Sequence, residues 1–523
     1  MKIFIDFLFL IYSCAFAQPY TLQWQKTFGG AGEEIAGSMV ALPNHEIVIC
    51  GSANSVTGDI SNSLGWDDVW LVAIDTNSNI LWDKSFGSTT DYEYGLVLCA
   101  DTLNGLVFGA RVSANAGQVS GIHGSPGHYD WWVAGVDSLH NLLWQRCLGG
   151  SDDEYELYSI EKSKYGTYLL SGDTYSIDGD VNGNNGGHRG WMVCYNKDSG
   201  IVFQNLSDFG TGSEIANTKL GVDSCYFSIG TVENRPNCLI GGMDMAFCKY
   251  NSNGIKLWEY CLGGTLIDGG TDFVENPDGT MWLVGGTYSN DVDVSGNNGF
   301  SDIWLVKIDT LGNVLHQNCF GGLATDYAEK ITKSSDGGLI IVGYTNSTEL
   351  NGFPNNLHGY TDALIIKTDS LGNLLWGKCF GGSQNDLANS VVENPDGSIY
   401  VAGTTESSDG DVTFNHGLSD YWMFKLVPSS SSILETKGEL NNFTVTINSI
   451  SKKWIIQYSS ISLNNVTITI YDLSGRKIKS VDHQSQIGMN IFELDNNGNP
   501  NGVYIIELNS KQSKLRGKLI SLN

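Results

Sequence analysis

The chain has 523 residues, a net charge of −28, 64 Gly, 11% aromatic residues and only 16% charged residues. A chain of this length is too long to fold around one ordinary hydrophobic core. Its glycine-rich and aromatic-rich composition favours many short strands and tight turns over helical bundles. Because phosphate binding needs Lys and Arg, the acidic balance argues against nucleic acid and anionic membranes as partners. It is compatible with cations or neutral glycans.

The N-terminal residues 1–17 have the pattern of a signal peptide. Lys2 precedes a mostly apolar stretch, and Ala15-Phe16-Ala17 forms a small-residue cleavage site. No later stretch approaches the roughly 18 apolar residues of a membrane helix. We therefore expect an exported monomer without a transmembrane segment, which passes through the periplasm.

Residues 18–428 form an internal repeat. One copy opens with Trp376-Gly-Lys-Cys-Phe380-Gly381-Gly382, and the opening residue recurs at intervals of roughly 60 residues, which is the spacing of a repeat architecture. The opening residues are Trp24, Trp82, Trp144, Phe203, Trp258, His316 and Trp376. The sequence therefore contains seven copies without a gap.

Each copy contains four strand-like segments, joined by turns rich in Asn, Asp and Gly. Seven such units predict an all-β, seven-bladed β-propeller with four-stranded blades. The array begins with a lone fourth-type strand at residues 22–28 and ends on a third-type strand at residues 420–426. The N-terminal strand is therefore predicted to complete the last blade and close the ring.

Several residue types recur at fixed repeat positions and are interpreted as packing. Ten of the 14 Trp fall at two positions, which favours packing between blades over sugar-stacking platforms. Four cysteines share one position that elsewhere holds Thr or Ser, which is typical of buried free thiols: Cys147, Cys261, Cys319 and Cys379. The local pair Cys225 and Cys238 is the one disulfide that the sequence suggests.

The loops between the second and third strands are long and differ from copy to copy, so the face that carries them is the expected binding face. They span residues 52–67, 110–129, 173–188, 231–242, 287–300, 345–360 and 405–418. Aromatic residues that do not repeat are the candidate ligand-binding residues, because packing does not demand them: Trp66, Tyr175, Tyr288, Phe353 and Tyr360. The loop histidines are expected to be solvated.

Two kinds of acid recur beside these loops. One follows each fourth-strand corner: Glu34, Asp91, Asp153, Glu214, Asp268, Asp326 and Asp386. The other precedes each third strand, with Arg189 in its place in the third blade: Asp68, Asp130, Asp244, Asp302, Asp362 and Asp420. We favour hydrogen bonds to backbone N–H groups over cation binding. Pairs such as Asp178-Gly-Asp180 leave Ca²⁺ as a possible cofactor, although no metal site is assigned.

No nucleophile elbow, phosphate-binding glycine loop or metalloprotease helix occurs in the sequence. The pattern therefore favours a non-catalytic scaffold that binds protein or glycan through its long-loop face. The alternative is a polysaccharide-active glycoside hydrolase, endoglucanase-like, that uses two loop carboxylates.

A serine-rich linker at residues 429–438 separates the propeller from a C-terminal domain at residues 439–523. Seven short alternating strands in this stretch predict a small immunoglobulin-like β-sandwich.

The C-terminal domain resembles the type IX secretion C-terminal sorting domain of Bacteroidota. The resemblance lies in the stretch from Val466 to Lys477, in two later glycine motifs and in a basic ending. Its motif residues are Asp472, Gly475, Gly488, Asn490, Gly502, Tyr504 and Lys518. The resemblance implies export by the type IX machinery, followed by cleavage of this domain and release or attachment at the cell surface.

Overall fold

The computed structural model describes residues 20–90, 92–101, 105–163, 166–207, 212–233, 241–351 and 357–428, and then 440–447, 453–460, 465–472, 476–485, 488–495, 502–510 and 514–521. Within these ranges every regular element is a β-strand. The chain divides into two compact units, one that spans Leu22–Leu426 and one that includes Val427–Asn523. The predicted signal peptide and serine-rich linker lie outside the described residues.

The first unit is built from 28 strands. In chain order they are β1 (Tyr20–Phe28), β2 (Glu34–Ala41), β3 (Ile47–Ala53), β4 (Asp68–Ile74), β5 (Ile80–Phe86), β6 (Tyr94–Ala100), β7 (Leu106–Val112), β8 (Asp130–Val136), β9 (Leu142–Leu148), β10 (Leu157–Lys162), β11 (Tyr168–Thr174), β12 (Arg189–Asn196), β13 (Gly200–Leu206) and β14 (Glu214–Leu220). The others are β15 (Tyr226–Glu233), β16 (Met243–Tyr250), β17 (Lys256–Leu262), β18 (Asp268–Glu275), β19 (Met281–Thr287), β20 (Asp302–Ile308), β21 (Val314–Phe320), β22 (Asp326–Lys333), β23 (Leu339–Thr345), β24 (Asp362–Thr368), β25 (Leu374–Phe380), β26 (Asp386–Glu393), β27 (Ile399–Thr405) and β28 (Asp420–Pro428).

These strands form seven four-stranded sheets, which we call blades. Blades 1 to 6 consist of consecutive strands, from β2–β5 through β22–β25. Blade 7 has the order β1-β28-β27-β26, so the N-terminal strand completes it, as predicted. The indole N–H of Trp422 donates to Gln25 Oε1 at 2.9 Å, which ties the two ends of the propeller together. The first strand of each blade contacts that of the next, and the first strand of blade 7 contacts β2, so the ring closes.

The hydrophobic core lies between the blades. The third-strand tryptophans are fully buried: Trp70, Trp132, Trp191, Trp304 and Trp422. Each of these indoles donates to an Asp or Gln side chain on the neighbouring fourth-type strand. Fourth-strand tryptophans such as Trp82 pack against the same clusters. The interpretation of both tryptophan rings as packing is confirmed.

A glycine recurs in the second strand of six blades, opposite a β-bulge in the first strand, and in blade 2 Ala110 takes this position and pairs with Gly95. In β19 this is Gly285, where a Cβ atom would lie 1.8 Å from the backbone oxygen of Gly269. At the next residue, Gly286, the nearest atom to such a Cβ is 3.6 Å away, the Ser301 Oγ. The recurring glycine is therefore required by the close approach of two backbones.

The cysteines follow the sequence interpretation only in part. Cys147 and Cys379 are buried free thiols, as expected from their repeat position. Cys261 shares that position but is disulfide-bonded, so the expectation of a free thiol is wrong there. Cys225 carries a free thiol, which overturns its suggested pairing, and Cys238 lies outside the described residues.

The second unit contains seven strands in two antiparallel sheets. They are β29 (Leu440–Ile447), β30 (Lys453–Ser460), β31 (Asn465–Asp472), β32 (Lys477–Gln484), β33 (Gly488–Asp495), β34 (Gly502–Asn509) and β35 (Lys514–Ser521). The sheets have the orders β29-β30-β33 and β32-β31-β34-β35. Side chains from both sheets, among them Trp454, Ile468 and Ile506, form one core. This arrangement confirms the predicted β-sandwich.

Candidate functional site

The first strands of the blades surround the central channel, and one residue near the start of each is the mouth position. It directly precedes the first-strand residue that pairs with the recurring glycine or, in blade 2, with Ala110. The mouth positions are Ile35, Tyr94, Glu156, Glu214, Gly269, Tyr327 and Leu387. Packing residues repeat around the ring, whereas these residues differ in size and charge from blade to blade, which makes them candidates for a binding site.

Charged side chains gather at this mouth in blades 2 to 4, and we call them the mouth cluster: Arg111, Glu156, Asp173, His188 and Glu214. Arg111 Nη1 lies 2.9 Å from Glu156 Oε1. The backbone N–H of Glu156 donates to Asp173 Oδ1 at 2.7 Å, and His188 Nε2 lies 2.7 Å from Asp173 Oδ2. Each group comes from a different strand or loop, so one site joins three blades.

Burial sets the protonation behaviour of this cluster. Burial raises the pKa of Glu156, and the negative charges of Asp173 and Glu214 raise it further, whereas Arg111 lowers it. Burial also raises the pKa of Glu214, with Asp173 adding to the effect. The hydrogen bond to Asp173 raises the pKa of His188, which favours its charged form. The mouth therefore combines carboxyl groups that protonate readily with two cationic side chains.

A line of aromatic rings leads along the long-loop face to this cluster. We call it the aromatic arc; its members are Trp66, Tyr92, Tyr94, Tyr129, Tyr155 and Tyr175. Neighbouring ring centroids are 5.1 Å apart for Trp66–Tyr92, 6.4 Å for Tyr92–Tyr94, 5.7 Å for Tyr129–Tyr155 and 6.0 Å for Tyr155–Tyr175. The Arg111 guanidinium bridges the middle, 4.3 Å from the Tyr94 centroid and 5.2 Å from that of Tyr129. The arc ends on His188, which stacks on Tyr175 at 4.8 Å.

The structure brings two of the five predicted ligand-binding residues into this arc. Trp66 is 61% exposed and Tyr175 is 36% exposed. Tyr288 lies in blade 5, edge-on to Phe300 at 5.1 Å, and Tyr360 lies in blade 6 with 71% of its surface exposed. Phe353 lies outside the described residues. The candidate site therefore contains Trp66 and Tyr175, and the other two form no part of it.

A cleft lies on the other side of the same mouth, between blades 7 and 1. Its volume is about 450 Å³, within the usual range for ligand pockets. The mouth residues Ile35 and Leu387 line it, together with Asn389, Thr404 and Glu406. The mouth thus has a charged, aromatic side and a more apolar side.

The recurring acids have structural partners, as the sequence interpretation favoured. Four of the predicted corner acids accept a backbone N–H from four residues earlier, as in Gly30 to Glu34 at 2.6 Å and Gly382 to Asp386 at 2.7 Å. Five of the acids before a third strand accept a loop N–H, as from Leu64 to Asp68 at 2.6 Å. These hydrogen bonds fix the corners and the ends of the long loops.

The assignment of corner acids was wrong in two blades. In blade 3 the acid that accepts the Gly150 N–H is Glu154, at 3.0 Å, whereas Asp153 accepts the N–H of Tyr129. In blade 4 the strand register places Ser213 at the corner and moves Glu214 to the mouth. Asp91 of blade 2 lies outside the described residues, and Glu93 is the buried acid there.

The loop histidines reach solvent as expected, with His123 and His358 exposed, but three of them also contact an acid. Nδ1 of three of them lies 2.7–3.1 Å from the acid that precedes the third strand: His123, His358 and His416. The Asp-x-Asp pairs also bond to the corners, as Asp178 accepts the Ser151 N–H at 2.7 Å. These loop residues hold the long loops against the corners.

One group of three potential metal ligands occurs among the described residues. His128, Asp152 and Asp153 present a ring nitrogen and two carboxylate oxygens within 4.8 Å of one another. His128 Nδ1 lies 3.3 Å from Asp153 Oδ1 and 3.5 Å from Asp152 Oδ1, distances that suit an ion pair. The group lies beside Tyr129 and therefore borders the aromatic arc.

The sorting motif residues lie on the strands of the second unit. Asp472 ends β31, where its carboxylate accepts the Arg476 backbone N–H at 2.9 Å. Asn490 and Tyr504 are buried, and Gly488 and Gly502 open β33 and β34. Lys518 lies in β35, and Gly475 is outside the described residues. The roles of these residues in sorting stay predictions.

Comparison with known proteins identifies the second unit. Residues 441–522 match the family described as the secretion system C-terminal sorting domain. The second unit carries a sorting signal. The sorting domain indicates that the chain is delivered to the outer surface or the extracellular space, and it implies the secretion machinery as a partner. In the parts of the chain that the structure describes, no helix has the length and apolar character to span a membrane.

The propeller has more distant similarities. The chain is 29% identical over 166 residues to the regulatory protein FlaEY of Caulobacter vibrioides, and it spans 17% of the length of that relative. A puromycin hydrolase structure shares 10% identity with a TM-score of 0.40, covering 92% of this chain and 61% of its own. The periplasmic gluconolactonase PpgL of Pseudomonas aeruginosa shares 9% with a TM-score of 0.36, covering 86% and 99%. At such low identities and TM-scores, the activities of these proteins cannot be assigned to this chain.

Four members of the mouth cluster were not predicted as site residues: Arg111, Glu156, Asp173 and His188. Glu214 was predicted only as a corner acid. These residues could have been recognised because they differ from the residues at the same repeat position in other blades. In blade 2 Arg111 pairs with Tyr94, whereas the corresponding pair in blade 1 is Ser52 with Ile35. Comparison of paired positions from blade to blade would have found them.

Proposed function

We propose that this protein is an exported glycan-binding propeller whose ligand lies along the aromatic arc and ends at the mouth cluster. The observation that carries the proposal is the continuous line of rings from Trp66 to Tyr175, four of which are more than one-third exposed. Partly exposed rings in a row offer flat apolar faces to successive sugar units. More than one-third of the surface of Trp66, Tyr92, Tyr155 and Tyr175 is exposed, so packing in the core does not account for them.

The mouth cluster supports a neutral polyhydroxylated ligand. Arg111 and His188 supply hydrogen-bond donors, and Glu156, Asp173 and Glu214 supply acceptors, in one partly buried place. Hydroxyl groups both donate and accept, so a sugar can satisfy such a mixed set. The excess of acids over bases in the whole chain disfavours an anionic polymer at the same site.

A glycan array probed with the full chain tests this proposal. Trp66→Ala and Tyr175→Ala should each weaken binding of the ligand found on the array about fivefold or more, taking the roughly 1–3 kcal/mol per ring that aromatic platforms contribute to nucleobase stacking as the guide. Tyr360→Ala is the matched control, because Tyr360 is exposed on the same face but lies outside the arc. Absence of any glycan ligand, or equal losses in all three variants, would refute the proposal.

A glycoside hydrolase is the second candidate, and the acids of the mouth favour it specifically. Glu156 and Glu214 both have a raised pKa, and a carboxyl group with a raised pKa is what a general acid requires. If this candidate is correct, Glu156→Gln or Glu214→Gln should abolish the release of reducing ends and leave binding intact. If the unmodified chain binds a glycan but releases no reducing ends, the hydrolase candidate is ruled out and only the binding function remains.

A further inference from the structure

His128 differs from the other loop histidines in how it meets the acids beside it. In three other loops a histidine Nδ1 lies 2.7–3.1 Å from one carboxylate oxygen, which is hydrogen-bond distance: His123, His358 and His416. His128 Nδ1 instead lies between two carboxylates, 3.3 Å from Asp153 Oδ1 and 3.5 Å from Asp152 Oδ1. This nitrogen atom is buried, and among the described residues it makes no hydrogen bond. A buried polar atom without a partner is costly, so a further group is expected there.

The spacing of these three atoms fits a metal ion better than a direct contact. A charge-assisted N–H···O bond is usually about 2.7–2.9 Å long. Zn²⁺ binds imidazole nitrogen and carboxylate oxygen at about 2.0–2.2 Å, so two ligands of a tetrahedral ion lie about 3.3–3.5 Å from each other. The two distances from His128 Nδ1 are 3.3 and 3.5 Å. All three atoms lie within 4.8 Å of one another, so one ion can contact all of them.

Backbone hydrogen bonds hold both carboxylates in place. Asp153 Oδ1 accepts the Tyr129 N–H at 3.0 Å, and Asp152 Oδ1 accepts the Asp153 N–H at 3.0 Å. Ser176 Oγ accepts the Asp152 N–H at 3.0 Å, which fixes the corner that carries both acids. Because N–H groups only donate, these bonds favour the ionised carboxylates, which are the forms that bind metal. Each carboxylate keeps further lone pairs for an ion.

The three residues do not recur at comparable junctions. The bond from the Glu154 N–H to the Tyr129 oxygen has counterparts at the junctions of blades 5 and 6 and of blades 6 and 7, which align the positions. The residues equivalent to His128, Asp152 and Asp153 are Phe300, Ala324 and Thr325 at the first of these junctions, and Tyr360, Gln384 and Asn385 at the second. Neither set offers a histidine or a carboxylate, so the blade architecture does not require the group.

We propose that His128, Asp152 and Asp153 bind one divalent transition-metal ion of the Zn²⁺ class. A ring nitrogen with two carboxylate oxygens favours Zn²⁺ and its neighbours in the first transition row over Ca²⁺ and Mg²⁺, which prefer oxygen ligands. The side chains of His128 and Asp152 are 41% and 55% exposed, so the ion has room and water reaches it. Three protein ligands leave the fourth position of a tetrahedral ion open.

The open position adjoins the aromatic arc, because His128 directly precedes Tyr129. Water fills this position in the absence of a ligand, and a hydroxyl group of a bound glycan is able to replace it. That second role rests on the proposed function, whereas metal binding itself does not. A Zn²⁺ titration without glycan therefore tests the site independently.

Calorimetric titration of the metal-free full chain with Zn²⁺ provides this test. His128→Ala and Asp152→Asn should each lower the affinity of one site at least tenfold, since even the loss of an outer-shell partner costs about 10–100-fold. His358→Ala is the matched control, because His358 is also an accessible loop histidine but its Nδ1 lies 3.1 Å from Asp362 Oδ2. A wild-type chain without a saturable Zn²⁺ site, or equal affinities in the wild type and His128→Ala, would overturn the proposal.

Co²⁺ gives a spectroscopic readout of the same site. Tetrahedral Co²⁺ absorbs visible light more strongly than hydrated octahedral Co²⁺, so binding should raise the absorption of the wild-type chain, and Zn²⁺ should remove it. Thiolate ligands would add intense near-ultraviolet absorption, so its absence excludes the partly exposed thiols of Cys225 and Cys319 as the ligands. Visible absorption that persists in His128→Ala, or that comes with a thiolate band, would contradict the assignment.

Discussion

Arg111 of blade 2 and Glu156 of blade 3 form an ion pair at the channel mouth, with 2.9 Å between Nη1 and Oε1. The same guanidinium packs over the rings of Tyr94 and Tyr129. One side chain therefore fixes both the aromatic arc and an acid of the mouth cluster. Loss of this contact should affect stability and ligand binding together.

Arg111→Met should destabilise the propeller by about 1–2 kcal/mol, since it removes a partly buried ion pair and two cation–π contacts but keeps an apolar stem. Urea unfolding followed by tryptophan fluorescence measures the effect. Arg146→Met is the control, because Arg146 is more exposed and lies 3.3 Å from Asp180. If both variants lose the same free energy of unfolding, the position of Arg111 at the mouth has no special role in stability.

The pair of His188 and Asp173 should make stability depend on pH. The pKa of His188 is raised in the folded state, so its stabilising contribution is complete below the unfolded value of about 6.5 and is lost as pH rises through the folded value. The Tm difference between the wild type and His188→Gln should therefore shrink as pH increases from 5 to 8.5. A difference that stays constant over this range would contradict the assignment.

Gly285→Ala and Gly286→Ala should have unequal effects, although the residues are neighbours on β19. A methyl group at Gly285 meets the backbone oxygen of Gly269, which cannot move without disturbing the sheet, so a loss of about 3 kcal/mol or more is expected. The space at Gly286 accepts a methyl group, and its Tm should change little. Thermal unfolding compares them, and a tolerated Gly285→Ala would show that the bulge can relax.

A chain that ends at Leu426 should fail to leave the cell, because it lacks the sorting domain. We expect it to accumulate in the periplasm, since the predicted N-terminal signal is retained. Cell fractionation with immunoblotting compares it with the full chain. Normal secretion of the shortened chain would contradict the role of residues 441–522.

The architecture of both units was predictable from local sequence patterns. The strand-like apolar segments and the turn residues between them predicted the four strands of each blade. The lone strand at the start of the repeat array predicted that the ring closes. In blade 3 the pattern was ambiguous, because Asp152, Asp153 and Glu154 are three consecutive acids. Only the hydrogen bond from Gly150 shows which one occupies the corner.

The candidate site was harder to predict because its members come from separate strands and loops. Asp173 ends a second strand, His188 ends a long loop, and Glu214 reaches the mouth through a strand register that its own sequence does not reveal. Trp66 and Tyr175 were predicted as loop aromatics, although other blades also carry aromatic residues at the same repeat positions, as Tyr288 does at that of Tyr175. Their connection through Tyr92, Tyr129 and Tyr155 depends on how three blades meet.

The position of β1 in blade 7 has a consequence for biosynthesis. Gln25 and Trp422 bond to each other although 397 residues separate them, so the first strand to leave the ribosome can pair only after the last strand of the propeller has been made. Until then the nascent chain exposes the unpaired edges of β1 and β27, and open edges invite pairing with other chains. A holding chaperone that shields these edges would be needed from early translation onward, and any stalled or prematurely ended product would keep them open.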